Sequence, residues 1–305
     1  MYWQLGNEHY GFWERAHMTG EMYVETIRAL APGIRTAYPR ARLLALGQES
    51  GDDLYDGSKH TPWRGPLLDK AADLIDGLAL QVYCTVPVSA DPTEQQRAVL
   101  ERAEWFAQVM REAAQDVAAR GLHLPVGLSE WGLWLHASHF SPRGFYEPFD
   151  VQHSLFAATM FHHFLRLAPA VEFTNFYKII SGMGLFQVER EVVRKTHVAE
   201  VFSLYRETLP GEVLPIEIDS PSWEGDLKTV EAVAVKSGAN VYLFLINRSL
   251  EDTVRVSLEG CGDVQAGTAL VGQGPLEMAA VRCDMEVAGG EVELPPLTVG
   301  RLTRE

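Results

Sequence analysis

Gly77-Leu78-Ala79-Leu80-Gln81-Val82-Tyr83, a helix-patterned stretch from Thr93 to Arg120, and then Leu124-Pro125-Val126-Gly127-Leu128-Ser129 decide the fold class. The two short runs are apolar on both faces, as parallel strands covered by helices are. Between them Val99, Ala103, Phe106, Met110, Ala113 and Val117 mark one helical face. Glu101, Arg102, Glu104, Arg111, Glu112 and Asp116 fall largely off it, and Gly121 supplies the stop. Outward on both sides the alternation continues. Tyr2 to Gly6, Ala41 to Gly47 and Val171 to Phe176 read as strands, and Gly20 to Tyr38, Gly65 to Ile75, Asp150 to Leu167 and Lys195 to Thr208 as helices. Strict alternation of this kind predicts an α/β fold with a parallel sheet, either doubly wound or closed into a barrel.

After Gly211 the texture changes. Val230 to Val235, Asn240 to Asn247, Thr253 to Leu258 and Glu291 to Leu294 carry β-branched or alternating patterns between Gly, Asn, Ser and Asp turns. Val254, Val256 and Leu258 alternate with Arg255 and Ser257, the mark of a half-buried antiparallel strand. The tail is therefore read as an all-β sandwich. The expected division is an α/β domain over 1–212 and a β-sandwich over 213–305.

Composition narrows the function. The 305 residues hold 26 Lys plus Arg against 41 Asp plus Glu, a net charge of −15. The excess is spread through the chain, with 19 basic against 26 acidic residues up to position 212 and 7 against 15 beyond it. No basic face is available to neutralise phosphates, so a nucleic-acid partner is not expected. No run of apolar residues reaches the ~18 that a membrane span needs, so no membrane partner is expected either. Cys84, Cys261 and Cys283 are too few and scattered for a disulfide framework or zinc ribbon and are read as buried thiols. The chain opens without a signal-peptide pattern, which leans toward a cytoplasmic location. Yet a buried strand at the very start is unusual, and the reading expects sequence upstream of Met1.

Two acids stand out. Glu8 follows Gly6-Asn7 at the end of the first strand, and Glu130 follows Leu128-Ser129 at the end of the fourth. Loops at the carboxyl ends of parallel strands build active sites. Glycoside hydrolysis needs two such groups, one to protonate the leaving oxygen and one to attack the sugar or activate water. Tyr10, Trp13, Trp131 and Trp134 lie close to them in sequence, and flat rings suit the apolar faces of sugars. A single Asn-Glu or Ser-Glu pair is more often a cap or a solvated turn. It is the conjunction of strand end, carboxylate, glycine and tryptophan, found twice, that points to chemistry.

Trp3-Gln4-Leu5-Gly6-Asn7-Glu8, with Gly11 and Trp13, resembles the W-x-x-G-N-E-x-x-G-x-W motif of glycoside hydrolase family 51, the α-L-arabinofuranosidases of clan A. The resemblance implies that this segment is strand four of a (β/α)8 TIM barrel. The chain would then be a partial barrel, strands four to eight, followed by a C-terminal β-sandwich. It implies that Glu8 is the general acid/base and that Asn7 hydrogen-bonds the sugar's 2-hydroxyl. Leu128-Ser129-Glu130-Trp131 is similar to the family's strand-seven segment, which makes Glu130 the nucleophile of a retaining mechanism. The charge on Glu130 is expected to hold a proton on Glu8. Asn175 falls where strand eight of the family carries a Val-Asn pair. Leu294-Pro295-Pro296-Leu297-Thr298-Val299 resembles the end of the family's sandwich. Tyr83 is expected to hydrogen-bond Glu130, and Trp13 and Trp131 to contact the sugar. The implied partner is an arabinose-containing oligosaccharide or polysaccharide, with no cofactor; assembly into homo-oligomers is left open.

One departure is Gln81, which stands where the family usually has a histidine. The other is the absence of strands one to three. Two rivals remain: another clan A glycosidase, xylosidase- or glucanase-like, or an inactive fragment that is at most a carbohydrate-binding remnant. A metal is not expected. His136 and His139 lack an acidic partner at metal-ligand spacing, and the adjacent His162 and His163 point to different sides of a helix. His136 or His139 remains a candidate for lining a sugar subsite. Trp63, Trp105 and Trp223 are read as packing residues.

Overall fold

The computed structural model describes residues 1–11, 13–48, 62–86, 89–135, 147, 149–189, 191–206, 208–223, 225–264, 266–275, 277 and 280–304. Strands and helices alternate as β1 (Tyr2–Leu5), α1 (Gly20–Ala37), β2 (Arg42–Leu46), α2 (Arg64–Lys70), β3 (Gly77–Thr85), α3 (Pro92–Ala119), β4 (Val126–Trp134), α4 (Val151–Leu167) and β5 (Val171–Phe176). The strands form one sheet in the order β1-β2-β3-β4-β5, parallel at β1–β2, β2–β3 and β4–β5. All six residues of the apolar α3 face are buried. Full burial of a side chain such as Phe106 contributes roughly 2–3 kcal/mol.

The expected helix from Gly65 to Ile75 is shorter than its pattern. After α2 comes only a 3-10 turn, Ala72–Leu74, because the chain must extend to be pinned to β2. Asp76 N donates to Leu43 O at 2.7 Å, and Leu43 N donates to Asp76 Oδ2 at 2.7 Å.

The chain divides into two compact units. One comprises Met1–Thr85, Trp105–Gly132 and Leu167–Tyr177; the other comprises Val86–Glu104, Leu133–Arg166 and Lys178–Glu305. In the first, Thr19 caps α1 by accepting from Met22 N at 3.3 Å. The buried α1 residues Tyr23, Val24, Ile27 and Ala31 share a core with Leu43, Ala45 and Leu46 of β2 and Leu67 and Leu68 of α2. The sheet is strongly curled. Arg42 on β2 donates to Glu172 on β5 at 2.9 Å, Tyr2 on β1 also donates to Glu172, and the rings of Tyr2 and Phe173 lie 5.1 Å apart. In a flat sheet β1 and β5 would be about 19 Å apart, four strand spacings. Curvature of this kind belongs to a barrel wall rather than to an open doubly wound sheet.

The second unit contains the hairpin β6 (Phe186–Glu189) and β7 (Val192–Lys195), helix α5 (His197–Arg206), and strands β8 (Glu212–Leu214), β9 (Val230–Ser237), β10 (Asn240–Asn247), β11 (Val254–Ser257), β12 (Gly267–Gly272), β13 (Ala280–Met285), β14 (Val287–Ala288), β15 (Glu291–Leu294) and β16 (Thr298–Arg304). Six of them form a sheet in the order β13-β12-β16-β10-β9-β8, and three form another, β11-β15-β14. Alternate residues from both sheets, Val230, Ala232 and Ala234 with Leu243, Leu245, Val292 and Leu294, enclose one core, which makes a β-sandwich. The reading of the cysteines needs correction: Cys283 is exposed on β13 and Cys261 is half-buried. β13 is the edge strand of its sheet, and its four consecutive residues Val281 to Asp284 are all exposed. The Cys84 side chain lies outside the described residues.

Candidate active site

The segment after β1 is shaped by its backbone. Gly6 has φ +94, and a Cβ there would lie 2.4 Å from the His9 ring, so only glycine fits. Glu8 itself has φ +47, a left-handed conformation costing a residue with a side chain about 1–2 kcal/mol. Such strain persists where surrounding contacts enforce it, typically at working sites. Here Gly11 N donates to Glu8 O at 2.7 Å, and the Trp13 indole Nε1 donates to Glu8 Oε2 at 2.6 Å. Trp13 keeps 38% of its surface exposed.

Glu130 is aimed by a bulge. Leu128 pairs with Thr174 and Trp131 with Phe176, so β4 spends three steps against two on β5. An extra residue of this kind bends a strand and redirects its side chains, and Ser129 and Glu130 are the residues inside the irregularity. On the neighbouring β3, Gln81 and Tyr83 are two positions apart and so face the same way. Gln81 Nε2 donates to Glu130 Oε1 at 3.2 Å, and the Tyr83 hydroxyl donates to Glu130 Oε2. The same Gln81 Nε2 donates to Asn7 Oδ1 at 2.9 Å. Burial first, and then the charge of Glu130, push the Tyr83 phenol far up, with Glu8 adding in the same direction. Tyr83 therefore stays protonated and remains a donor at any working pH.

Asn7, Glu8, Trp13, Tyr83 and Glu130 are thus brought together at the carboxyl ends of β1, β3 and β4. Trp131, read from the sequence as a sugar contact, is fully buried, with its ring edge-on to Phe176 at 5.1 Å. Successive side chains of a strand point to opposite faces, so with Glu130 toward the site its neighbour lies in the wall. Asn175 is exposed on β5, and no hydrogen bond among the described residues ties it to the Gln81–Glu130 set. Trp63 is a packing residue, stacked on Tyr23 at 4.8 Å with Nε1 donating to Leu46 O at 2.7 Å. His136 and His139 lie outside the described residues. His162 and His163 go to different neighbours: His163 Nε2 sits 3.3 Å from Glu104 Oε2, while the His162 ring packs 6.0 Å from that of Tyr205. Among the described residues no group of His, Cys, Asp and Glu is placed to hold a metal ion, and no helix is long and apolar enough to cross a membrane.

Sequence reasoning missed the backing of the site. Gln48, wholly buried just beyond β2, accepts from Gln81 N at 3.0 Å, and Tyr10 donates its hydroxyl to Gln81 Oε1 at 3.2 Å. The only available signal was a polar residue at the end of an apolar strand.

A curled parallel sheet of alternating strands and helices followed by a β-sandwich is the fold of (β/α)8 proteins that carry a C-terminal sandwich, and two carboxylates, Glu8 and Glu130, stand at its strand ends, each held by neutral donors. No protein-family model matches the chain. Within the class, it is similar to the family 51 α-L-arabinofuranosidases. It is 24% identical over 266 residues to an intracellular exo-α-(1→5)-L-arabinofuranosidase of Streptomyces lividans, covering 81% of this chain and 39% of that protein. A family 51 α-L-arabinofuranosidase structure from Bifidobacterium longum superposes with a TM-score of 0.83 at 15% identity, covering 99% of this chain and 67% of that one. A family 44 endoglucanase from Clostridium thermocellum covers the whole chain less well, with a TM-score of 0.66 at 14% identity and 66% of its own length matched. The chain spans only part of the curated relatives it matches, 39% of the first, 46% of the next two and up to 56% of others.

Proposed function

We propose that this chain carries the catalytic acids of a retaining α-L-arabinofuranosidase acting on terminal arabinofuranosyl residues of an oligosaccharide or polysaccharide. Glu130 attacks the anomeric carbon and forms a C–O bond to it while the bond to the leaving oxygen breaks. Glu8 gives its proton to that oxygen. Glu8 then takes a proton from the water that attacks the same carbon, and the Glu130 carboxylate departs. Tyr83 and Gln81 orient the attacking carboxylate, and the Trp13 indole orients Glu8. Asn7, exposed beside them, supplies an amide to a sugar hydroxyl. Asn175 is a further polar contact from β5. The barrel portion corresponds to 1–212 and the sandwich to 213–305.

The observation that carries this reading is the convergence of segments 122 residues apart, with Glu8 and Glu130 acting on one Tyr83 phenol and Asn7 and Glu130 sharing one Gln81 amide. The test is hydrolysis of an aryl α-L-arabinofuranoside by the protein and by Glu8→Ala and Glu130→Ala, with the anomer first released followed by NMR. Retention of configuration and a loss of at least about 10³-fold in each variant are expected. Unimpaired hydrolysis by either variant removes that residue from its role, and an inverted product removes the mechanism.

A further inference from the structure

Gln81 lies in the middle of β3, 2% exposed, with its backbone N–H fixed by the wholly buried Gln48. A primary amide has two N–H donors and one acceptor oxygen. Here every role is taken. Nε2 donates to Glu130 Oε1 and to Asn7 Oδ1, and Oε1 accepts from the Tyr10 hydroxyl. The polarity is forced, because an ionised carboxylate can only accept and so must face the nitrogen. That choice turns the oxygen of Asn7 toward Gln81 and leaves its amide nitrogen, which has no hydrogen bond among the described residues, directed elsewhere.

We infer that Gln81 is a positioning residue of the reaction: its amide locks the orientation of Glu130 and of Asn7 together, and does so at every pH. The inference rests on the assignment of Glu130 as the nucleophile. Neither alternative side chain would serve in the same way. A carboxylic acid donates only while protonated. An imidazole has two ring nitrogens for three partners and changes charge near neutrality. The titratable groups bonded to the Gln81 side chain are Glu130 from β4 and Tyr10 from the segment after β1, with Tyr83 two positions along on β3 bonded to the same Glu130 and Glu8 acting on Tyr83; Gln48, just beyond β2, is neutral. The amide adds no ionisation to this set.

Two substitutions separate this role from mere packing. Gln81→Met keeps the shape and loses all three hydrogen bonds, so kcat should fall roughly 10²-fold by the same factor at every pH, with KM for the aryl arabinofuranoside changed far less. Gln81→Glu should match that deficit at pH 8. At pH 5 it should recover about tenfold relative to wild type, because the protonated acid regains one donor. A structural defect would show no such recovery. Wild-type kcat in Gln81→Met, or an equal deficit of Gln81→Glu at both pH values, overturns the inference. Glu130→Ala assayed in parallel keeps the two readings apart: if it is inactive while Gln81→Met is not, only the role of Gln81 falls. A second readout needs no turnover. In the ¹⁵N-labelled chain the two side-chain amide protons of Gln81 should respond separately, one moving upfield in Glu130→Ala and the other in Asn7→Ala. If neither moves, the hub does not exist.

Discussion

Acidic side chains are held in two different ways at the candidate site of the first unit and in the interior of the second. In the first, Glu130 takes hydrogen bonds from Gln81 and Tyr83, Glu8 takes one from the Trp13 indole, and among the described residues no cation reaches Glu130. In the second, buried acids are matched with cations. His153 lies between Asp150 Oδ1 at 2.8 Å and Glu147 Oε1 at 3.1 Å, with all three side chains buried. Arg248, 1% exposed, faces Glu104 at 3.3 Å and Glu231 at 3.9 Å, and Arg166 also pairs with Glu231. A carboxylate that must form and break a bond to carbon cannot also be committed to a full ion pair, whereas one that only closes a fold is stabilised by it. On the proposed mechanism, the contrast separates acids kept for reaction from acids kept for structure.

The comparison breaks most visibly at Glu130. Glu130→Ala should lower turnover by about 10⁴-fold while leaving the thermal midpoint within a few degrees of wild type. A large fall in the midpoint would move Glu130 into the structural group. Arg248→Met should do the reverse, leaving Glu104 and Glu231 without their shared cation. A loss of about 2–3 kcal/mol is expected by denaturant titration, because Glu231 keeps Arg166 and Glu104 keeps His163.

The pH dependence of unfolding sharpens the same contrast. Burial opposes a charge on His153, but Asp150 and Glu147 outweigh it and raise the imidazolium from 6.5 to about 9. A raised value means that this contribution is fully present below pH 6.5 and is lost as pH rises through about 9. The loss is on the order of 3 kcal/mol, and it should vanish in His153→Gln. Glu104 runs the other way. Burial opposes its charge, yet His163 and Arg248 hold its carboxyl down to about 2 from 4.5, so its contribution is present above pH 4.5 and lost as pH falls through about 2. The smallest effect is expected from Tyr83→Phe, which removes one of the two donors to Glu130. It should cost about tenfold in kcat with little change in stability.

Much of the fold was legible because its determinants are local. The α3 face, the alternation of strands with helices, and the span Asn240–Asn247 follow from hydrophobic period alone. β12, β13 and β16 were not legible, because their pairing is set by distant partners: β12 lies between β13 and β16, and Ala280–Met285 is largely exposed. The site divides in the same manner. Glu8 and Glu130 could be read from the motifs ending their strands. The irregularity at Ser129 and Glu130, beside the buried Trp131, depends on register with β5, which no single-strand pattern encodes. Gln81 could be seen as a departure but not as a hub, since its partners come from three other segments.

The central claim is that Glu130 forms a covalent bond to the sugar. Treating the protein with a fluorinated arabinofuranoside carrying a good leaving group, then digesting it and mapping the adduct by mass spectrometry, tests this directly. The account predicts one glycosyl ester, on the peptide containing Glu130, and none in Glu130→Ala. An adduct on Glu8 or elsewhere, or turnover with inversion and no adduct, would contradict it.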